Sequence, residues 1–180
     1  DVKCSMALEH TIRQNGGIPH MMRTGHSFLK QALREMPKCP LAGEMSGHFF
    51  FHDRWNGFDD SLYATARLIE LVARDHKPFS SLFDGIPTYP STGEAKVPLR
   101  GGREETMDAV RAAYADMDYS AVDGVRVRYS DGWYLCRPSN TEPILVMRAE
   151  AESEESLASI KSDVEKRLGQ RIDLEKFHSA

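Results

Sequence analysis

Trp133-Tyr134-Leu135-Cys136-Arg137-Pro138-Ser139-Asn140-Thr141-Glu142-Pro143-Ile144-Leu145-Val146-Met147 sets two apolar runs of strand length on either side of a segment rich in Pro, Ser, Asn and Thr. Aromatic and aliphatic residues bounded by turn formers predict two strands joined by a loop. The segment from Arg137 to Pro143 places a fixed cation, hydroxyls and an amide on one tight turn. A guanidinium matches phosphate oxygens two at a time, and small polar residues let backbone N–H groups reach the same anion. Composition alone also allows an ordinary hairpin turn with Arg137 solvated.

Just upstream, Gly124 to Tyr129 alternates Val125 and Val127 with Arg126 and Arg128, the period of a half-buried strand. Ser130-Asp131-Gly132 is a hairpin turn, so a three-stranded antiparallel meander is expected. Glu104 to Met117 is predicted helical, with Met107, Val110, Ala113 and Tyr114 on one face. Ser153, Glu154 and Glu155 open a last helix whose Leu157, Ile160, Val164 and Leu168 form its apolar face, with Gly169 as the stop. Residues 94–180 are thus expected to be a small α+β domain with an antiparallel sheet and two helices.

Residues 83–93 are dense in Gly and Pro and mark an interdomain linker, with a hinge at 87–93. Before it, helix and strand signals alternate, so residues 1–86 are expected to be an α/β domain. Asp1 to Cys4 reads as the end of a strand, Ser5 to Asn15 as a helix stopped by Gly16-Gly17, and Ile18 to Met22 as a short strand. Ser27 is expected to cap a helix reaching Leu33 or Met36, ended by Pro37 and Pro40. Leu41-Ala42 leads as a strand into Gly43-Glu44-Met45-Ser46-Gly47-His48. Asp60 to Arg74 is predicted helical, with Leu62, Ala66, Ile69 and Val72 at core spacing.

At 180 residues and 41% hydrophobic content, the chain can bury one good core or two modest ones. A formal net charge of −4 argues against nucleic-acid or membrane partners held by general electrostatics. No apolar stretch approaches the roughly 20 residues of a membrane helix, and no signal peptide opens the sequence. Cys4, Cys39 and Cys136 are scattered without a C-x-x-C pair, which points to a reduced, cytoplasmic protein. His10, His20, His52, His76 and His178 show no metal-ligand spacing, so no metal site is expected in this chain.

The loop from Gly43 to His48 sets two glycines around a carboxylate, a hydroxyl and an imidazole, a group suited to the vicinal hydroxyls of a sugar. Together with the Arg137 segment, and in this order, it resembles the α-D-phosphohexomutases of the phosphomannomutase/phosphoglucomutase branch. There GEMSGH is the sugar-recognition loop and R-x-S-N-T binds the substrate phosphate. The resemblance runs from Asp1 to about Gly169. It implies that Glu44, Ser46 and His48 contact the sugar, while Arg137, Ser139, Asn140 and Thr141 hold a phosphate. The D-V-K-C and T-G-H segments of the family match Lys3 and His26, which implies catalytic roles for both. Without the resemblance Lys3 reads as a solvated surface lysine. His48 either touches the ligand or orients Glu44, and Arg23 adds positive charge nearby. Phe49-Phe50-Phe51, Trp55 and Phe58 either stack on a sugar face or form strand and core.

The phosphoserine loop and the aspartate-rich metal loop of the family find no match here. The resemblance therefore implies the end of the third domain plus the fourth, with Mg²⁺ ligands and the phosphoserine in the two missing N-terminal domains. It further implies a phosphosugar substrate and a hexose 1,6-bisphosphate intermediate. This part alone is expected to bind weakly and not turn over, and to self-associate through the unpaired edge and apolar face that the missing strand start and preceding helix of the third domain would cover. Phosphoglucosamine mutase and a non-catalytic phosphosugar-binding module are the alternatives. Met45 favours the glucose/mannose branch, since the glucosamine enzymes usually carry glutamine there.

Overall fold

The structure, a computed structural model, describes residues 1–180 apart from the side chain of Asp75. Its contacts divide into two units, residues 7–87 with Asp1 and Lys3, and residues 88–180 with Val2 and residues 4–6.

The first unit carries α1 (Met6–Gln14), α2 (His26–Glu35), β1 (Leu41–Gly43), β2 (Phe49–Phe51), α3 (Ser61–Asp75) and a 3₁₀ turn over Phe79–Phe83. β1 and β2 form an antiparallel hairpin in which Ala42 pairs with Phe50. Alternation along β2 sends Phe50 inward, where it meets Leu29 and Leu33 of α2 in a small core. Asp60, expected as the first helical residue, caps α3 instead, its Oδ1 accepting from the Tyr63 N–H at 2.9 Å.

Three expectations fail in this unit, each for a local reason. Residues 18–22 form no strand among the described residues, because Pro19, second in the run, lacks a ladder donor. Asp1 to Cys4 is a turn, since Asp1 Oδ1 captures the Lys3 N–H at 2.9 Å and folds the backbone back on itself. Ser27 does not cap α2; the helix begins two residues earlier than such a cap would place it, at His26, with Gly25 at the cap position.

The apolar face expected of α3 also stays uncovered, with Leu62 83% and Ile69 63% exposed. The helix instead packs its Tyr63 and Arg67 side. Tyr63 stacks on Trp55 at 4.6 Å and meets the Phe51 ring edge-on. Arg67 lies over Phe51 and bonds Asp53 at 2.7 Å, and Glu70 holds Arg54. The periodicity of the helix is correct, but a hairpin with three residues per strand covers only one side of it.

The second unit is a five-stranded antiparallel sheet, larger than the meander expected. Its strands β3 (Ala95–Pro98), β4 (Tyr119–Ser120), β5 (Val125–Arg128), β6 (Gly132–Pro138) and β7 (Ile144–Ala151) lie in the order β3-β7-β6-β5-β4. The added strands are the edges. β3 alternates buried Ala95 and Val97 with exposed Lys96 and Pro98, and Pro98 fits an edge strand because it lacks a ladder donor. Residues 90–92 run on beside β7, with Thr92 N–H donating to the Ala149 carbonyl at 2.9 Å.

α4 (Arg103–Ala113) and α5 (Glu154–Leu168) pack with the sheet around Val125, Val127, Tyr134, Cys136, Leu145 and Met147. Leu157, Ile160, Val164 and Leu168 are all buried, and Ser153 caps α5 by accepting the Ser156 N–H at 3.1 Å. α4 ends before the expected Met117, because i→i+3 bonds to Arg111 and Tyr114 tighten the chain into turns. A short α6 (Glu175–His178), not anticipated, seats Phe177 edge-on against Tyr134 at 5.7 Å.

Candidate functional site

The hairpin loop between β1 and β2 is closed by its own backbone. Glu44 N–H donates to the His48 carbonyl and Gly47 N–H to the Glu44 carbonyl, each at 3.0 Å. Gly47 takes φ 89°, a left-handed conformation that suits glycine. This geometry turns the Glu44 side chain inward, leaving the residue 9% exposed. Its Oε1 accepts the Gly25 N–H at 3.1 Å and its Oε2 accepts the Ser46 hydroxyl at 3.0 Å. The sugar-type loop and the Thr24-Gly25-His26 segment are thus held together by one carboxylate.

Asp1 does the same for Lys3. One carboxylate oxygen accepts the Lys3 N–H and the other accepts the Thr24 hydroxyl at 3.2 Å. Lys3 is 8% exposed, which removes the reading of a solvated surface lysine. His26, the first residue of α2, is exposed. His48 does not orient Glu44. Its Nδ1 lies 2.9 Å from Asp59 Oδ2 instead. Arg23 stacks over the Phe28 ring at 3.9 Å. Of the aromatic run, Phe50 is core and Trp55 is engaged by Tyr63.

Sequence reasoning missed Asp1, Thr24 and Asp59 as supports. Only Asp59 left a signal: it precedes Asp60, and one carboxylate suffices to cap the helix. The other is left for a different partner.

In the second unit the structure moves Arg137 off the turn and into β6, opposite Val146 of β7. Arg137 is 5% exposed, and its Nε donates to Asp123 Oδ2 at 2.8 Å. Its Nη2 is buried without a hydrogen-bond partner. Ser139 organises the loop itself. Its hydroxyl oxygen accepts the N–H groups of Thr141 and Glu142 at 3.3 and 3.2 Å, and its own N–H donates to the Ile144 carbonyl at 2.9 Å. The amides of Thr141 and Glu142 are therefore spoken for within the loop. Asn140 and Thr141 are exposed, so their side chains are the polar groups the loop presents outward. Each unit thus gathers one of the two sets of residues. Among the described residues no three His, Cys, Asp or Glu side chains are grouped to hold a metal ion.

Residues 1–89 match the family model described as phosphoglucomutase/phosphomannomutase, alpha/beta/alpha domain III, and residues 94–167 match that of the phosphoglucomutase/phosphomannomutase C-terminal domain. The chain belongs to the phosphoglucomutase/phosphomannomutase family. The Glu44 loop lies in its domain III and the Arg137 loop in its C-terminal domain. The chain is 42% identical over 164 residues to a phosphomannomutase/phosphoglucomutase of Pseudomonas putida, covering 89% of this chain and 35% of that relative. It is 41% identical over 167 residues to a phosphoglucomutase of Neisseria gonorrhoeae, covering 90% of this chain and 36% of that one. A crystal structure of a phosphoglucomutase/phosphomannomutase family protein from Burkholderia thailandensis superposes with a TM-score of 0.84 at 44% identity, over 94% of this chain and 36% of that chain. The chain therefore spans about a third of the length of the family relatives it matches.

Proposed function

We propose that this chain is the sugar- and phosphate-binding part of a phosphohexomutase that interconverts hexose 1-phosphate and hexose 6-phosphate through a hexose 1,6-bisphosphate. The observation that carries this reading is the Glu44 carboxylate, which ties Ser46 and the His26 segment into one polar group. An ionised carboxylate has about four lone-pair sites, so Glu44 can still accept from vicinal sugar hydroxyls while holding both partners. Ser46, donating its proton to Glu44, accepts from the sugar. His48, whose Nδ1 lies 2.9 Å from Asp59 Oδ2, turns its other ring nitrogen, Nε2, to the sugar.

His26 exchanges a proton with the reacting hydroxyl, and Lys3 supplies positive charge beside the transferring phosphoryl group. Arg137, Ser139, Asn140 and Thr141 hold the phosphate that is not reacting. Among the described residues no three His, Cys, Asp or Glu side chains are grouped as ligands for the Mg²⁺ that the family resemblance implies, and none of these steps runs through it. On this reading the phosphoserine and metal ligands belong to the longer protein, so the chain alone binds weakly and does not turn over. Three free thiols support a reducing, cytoplasmic setting. The bare face of α3 supports self-association.

Calorimetric titration with glucose 1-phosphate and mannose 1-phosphate tests the reading. Weak binding of both sugars by the parent chain, lost in Arg137→Ala, is the expected result. Equal binding by parent and variant, or none by the parent at millimolar ligand, would overturn it.

A further inference from the structure

We propose that Asp123 is a positioning residue, fixing the Arg137 guanidinium so that its Nη1/Nη2 edge is the one that takes the phosphate. The inference rests on the phosphate-binding role proposed for Arg137 and deepens it.

A guanidinium can grip an anion along either of two kinds of edge: one that uses Nε with a terminal nitrogen, and the end that uses both terminal nitrogens. Asp123 accepts from Nε at 2.8 Å and thereby occupies the first kind. What remains is the terminal edge, whose Nη2 is buried without a partner. Arginine and aspartate are only 5% and 7% exposed, so this pair differs from a solvated surface contact, which water and salt would loosen.

The backbone is built for the contact. Gly124, next to Asp123, has φ 79°, and a Cβ there would lie 2.4 Å from the Cys136 carbonyl oxygen and 2.6 Å from Arg137 Cα. Only a glycine lets the chain carrying Asp123 lie this close to β6. Val125 then pairs with Cys136, so the carboxylate is delivered beside Arg137 by strand register.

A buried ion pair gains little over a well-packed apolar pair, and a buried donor left unpaired is a net loss. An anion that takes up Nη2 must displace the atoms now screening it, and Asp123 keeps the guanidinium in place while that happens.

The test uses the whole chain with inorganic phosphate and glucose 1-phosphate as titrants, and the variants Asp123→Ala, Asp123→Asn and Arg137→Ala. Asp123 acts in two opposite ways: it orients Arg137, and its negative charge repels an incoming anion. If orientation dominates, Asp123→Ala weakens phosphate binding by about tenfold or more, and Asp123→Asn, which keeps an oxygen acceptor, by about threefold. The Arg137 Nε–H resonance, slow to exchange in the parent, exchanges faster in Asp123→Ala and is partly restored in Asp123→Asn. If charge alone matters, both variants bind phosphate more tightly.

Unchanged or tighter binding in a folded Asp123 variant, with Arg137→Ala still dead, overturns the positioning role and leaves the phosphate role of Arg137 standing. If the parent chain binds neither titrant, or Arg137→Ala binds as the parent does, both fall. Should Asp123→Ala fail to fold, Asp123→Asn decides by the same signs.

Discussion

The Gly25 backbone N–H donates to Glu44 Oε1 at 3.1 Å across nineteen residues of chain, so one side chain sets the position of the segment that carries His26. Removing that carboxylate leaves a partly buried N–H without its acceptor, at a cost of about 1–3 kcal/mol. Glu44→Ala is therefore expected to melt earlier than the parent, with Glu44→Gln between the two. Both should weaken glucose 1-phosphate binding in calorimetry while leaving inorganic phosphate binding unchanged, because the loop proposed to hold the phosphate is in the other unit. Full sugar affinity in Glu44→Ala would remove Glu44 from the site.

Gly25 itself is under a second constraint. It takes φ 136°, and a Cβ there would sit 3.0 Å from the Phe28 ring. Gly25→Ala must leave this conformation or strain it, which costs about 1–3 kcal/mol. Chemical denaturation should show the loss. A variant as stable as the parent would mean that the turn relaxes without penalty.

The second unit should weaken in alkali. Burial pushes the Cys136 thiol up to about 12 from its ordinary 9.0 and raises the phenols of Tyr134 and Tyr114. Burial, then the hydrogen bond to Asp163, raises Tyr129. In each case the folded state keeps a proton that the unfolded chain releases sooner. The stability these groups contribute is full below about pH 9 and is lost as pH rises, at about 1.4 kcal/mol per pH unit for each group while it is charged only in the unfolded chain. Urea midpoints followed by circular dichroism should fall steeply between pH 9 and 11. A flat profile would show that these groups are not buried as described. Cys136 should also resist a thiol reagent at pH 8 until the chain is unfolded.

On α3, Leu62, Leu68, Ile69 and Leu71 are exposed, and Leu68 and Leu71 line a groove of about 410 Å³ with Phe49 and Phe51. Contiguous apolar surface of this kind drives association in water. Light scattering is expected to give a mass that rises with concentration, and Ile69→Glu should bring it back toward the monomer. A constant monomer mass in the parent chain would refute self-association through this face.

The C-terminal unit was the more legible in sequence. Leu157, Ile160, Val164 and Leu168 repeat at helical spacing, and all four are buried. Val125 and Val127 alternate with arginines, and both point into the core. The edge strands were harder to see: β4 has only two residues, and β3 has a single buried pair to reveal its period. In the first unit the hydrophobic period of α3 was read correctly, yet it pointed at a partner that the hairpin does not supply. Periodicity describes the helix, and burial depends on what stands opposite.

The amino-acid sequence by itself determined which polar residues stand in the two loops and that apolar strands flank the Arg137 segment, because these follow from side-chain type and short-range spacing, while the family was legible only through the resemblance of whole motifs. Only the tertiary structure decided how the groups are held. That Glu44 joins the Gly25 turn, that His48 answers to Asp59, and that Arg137 sits in a strand beside Asp123 depend on contacts between segments distant in the chain. Such contacts are set by strand register, by the room a glycine leaves and by which buried polar group finds a partner, and no local pattern of residues records them.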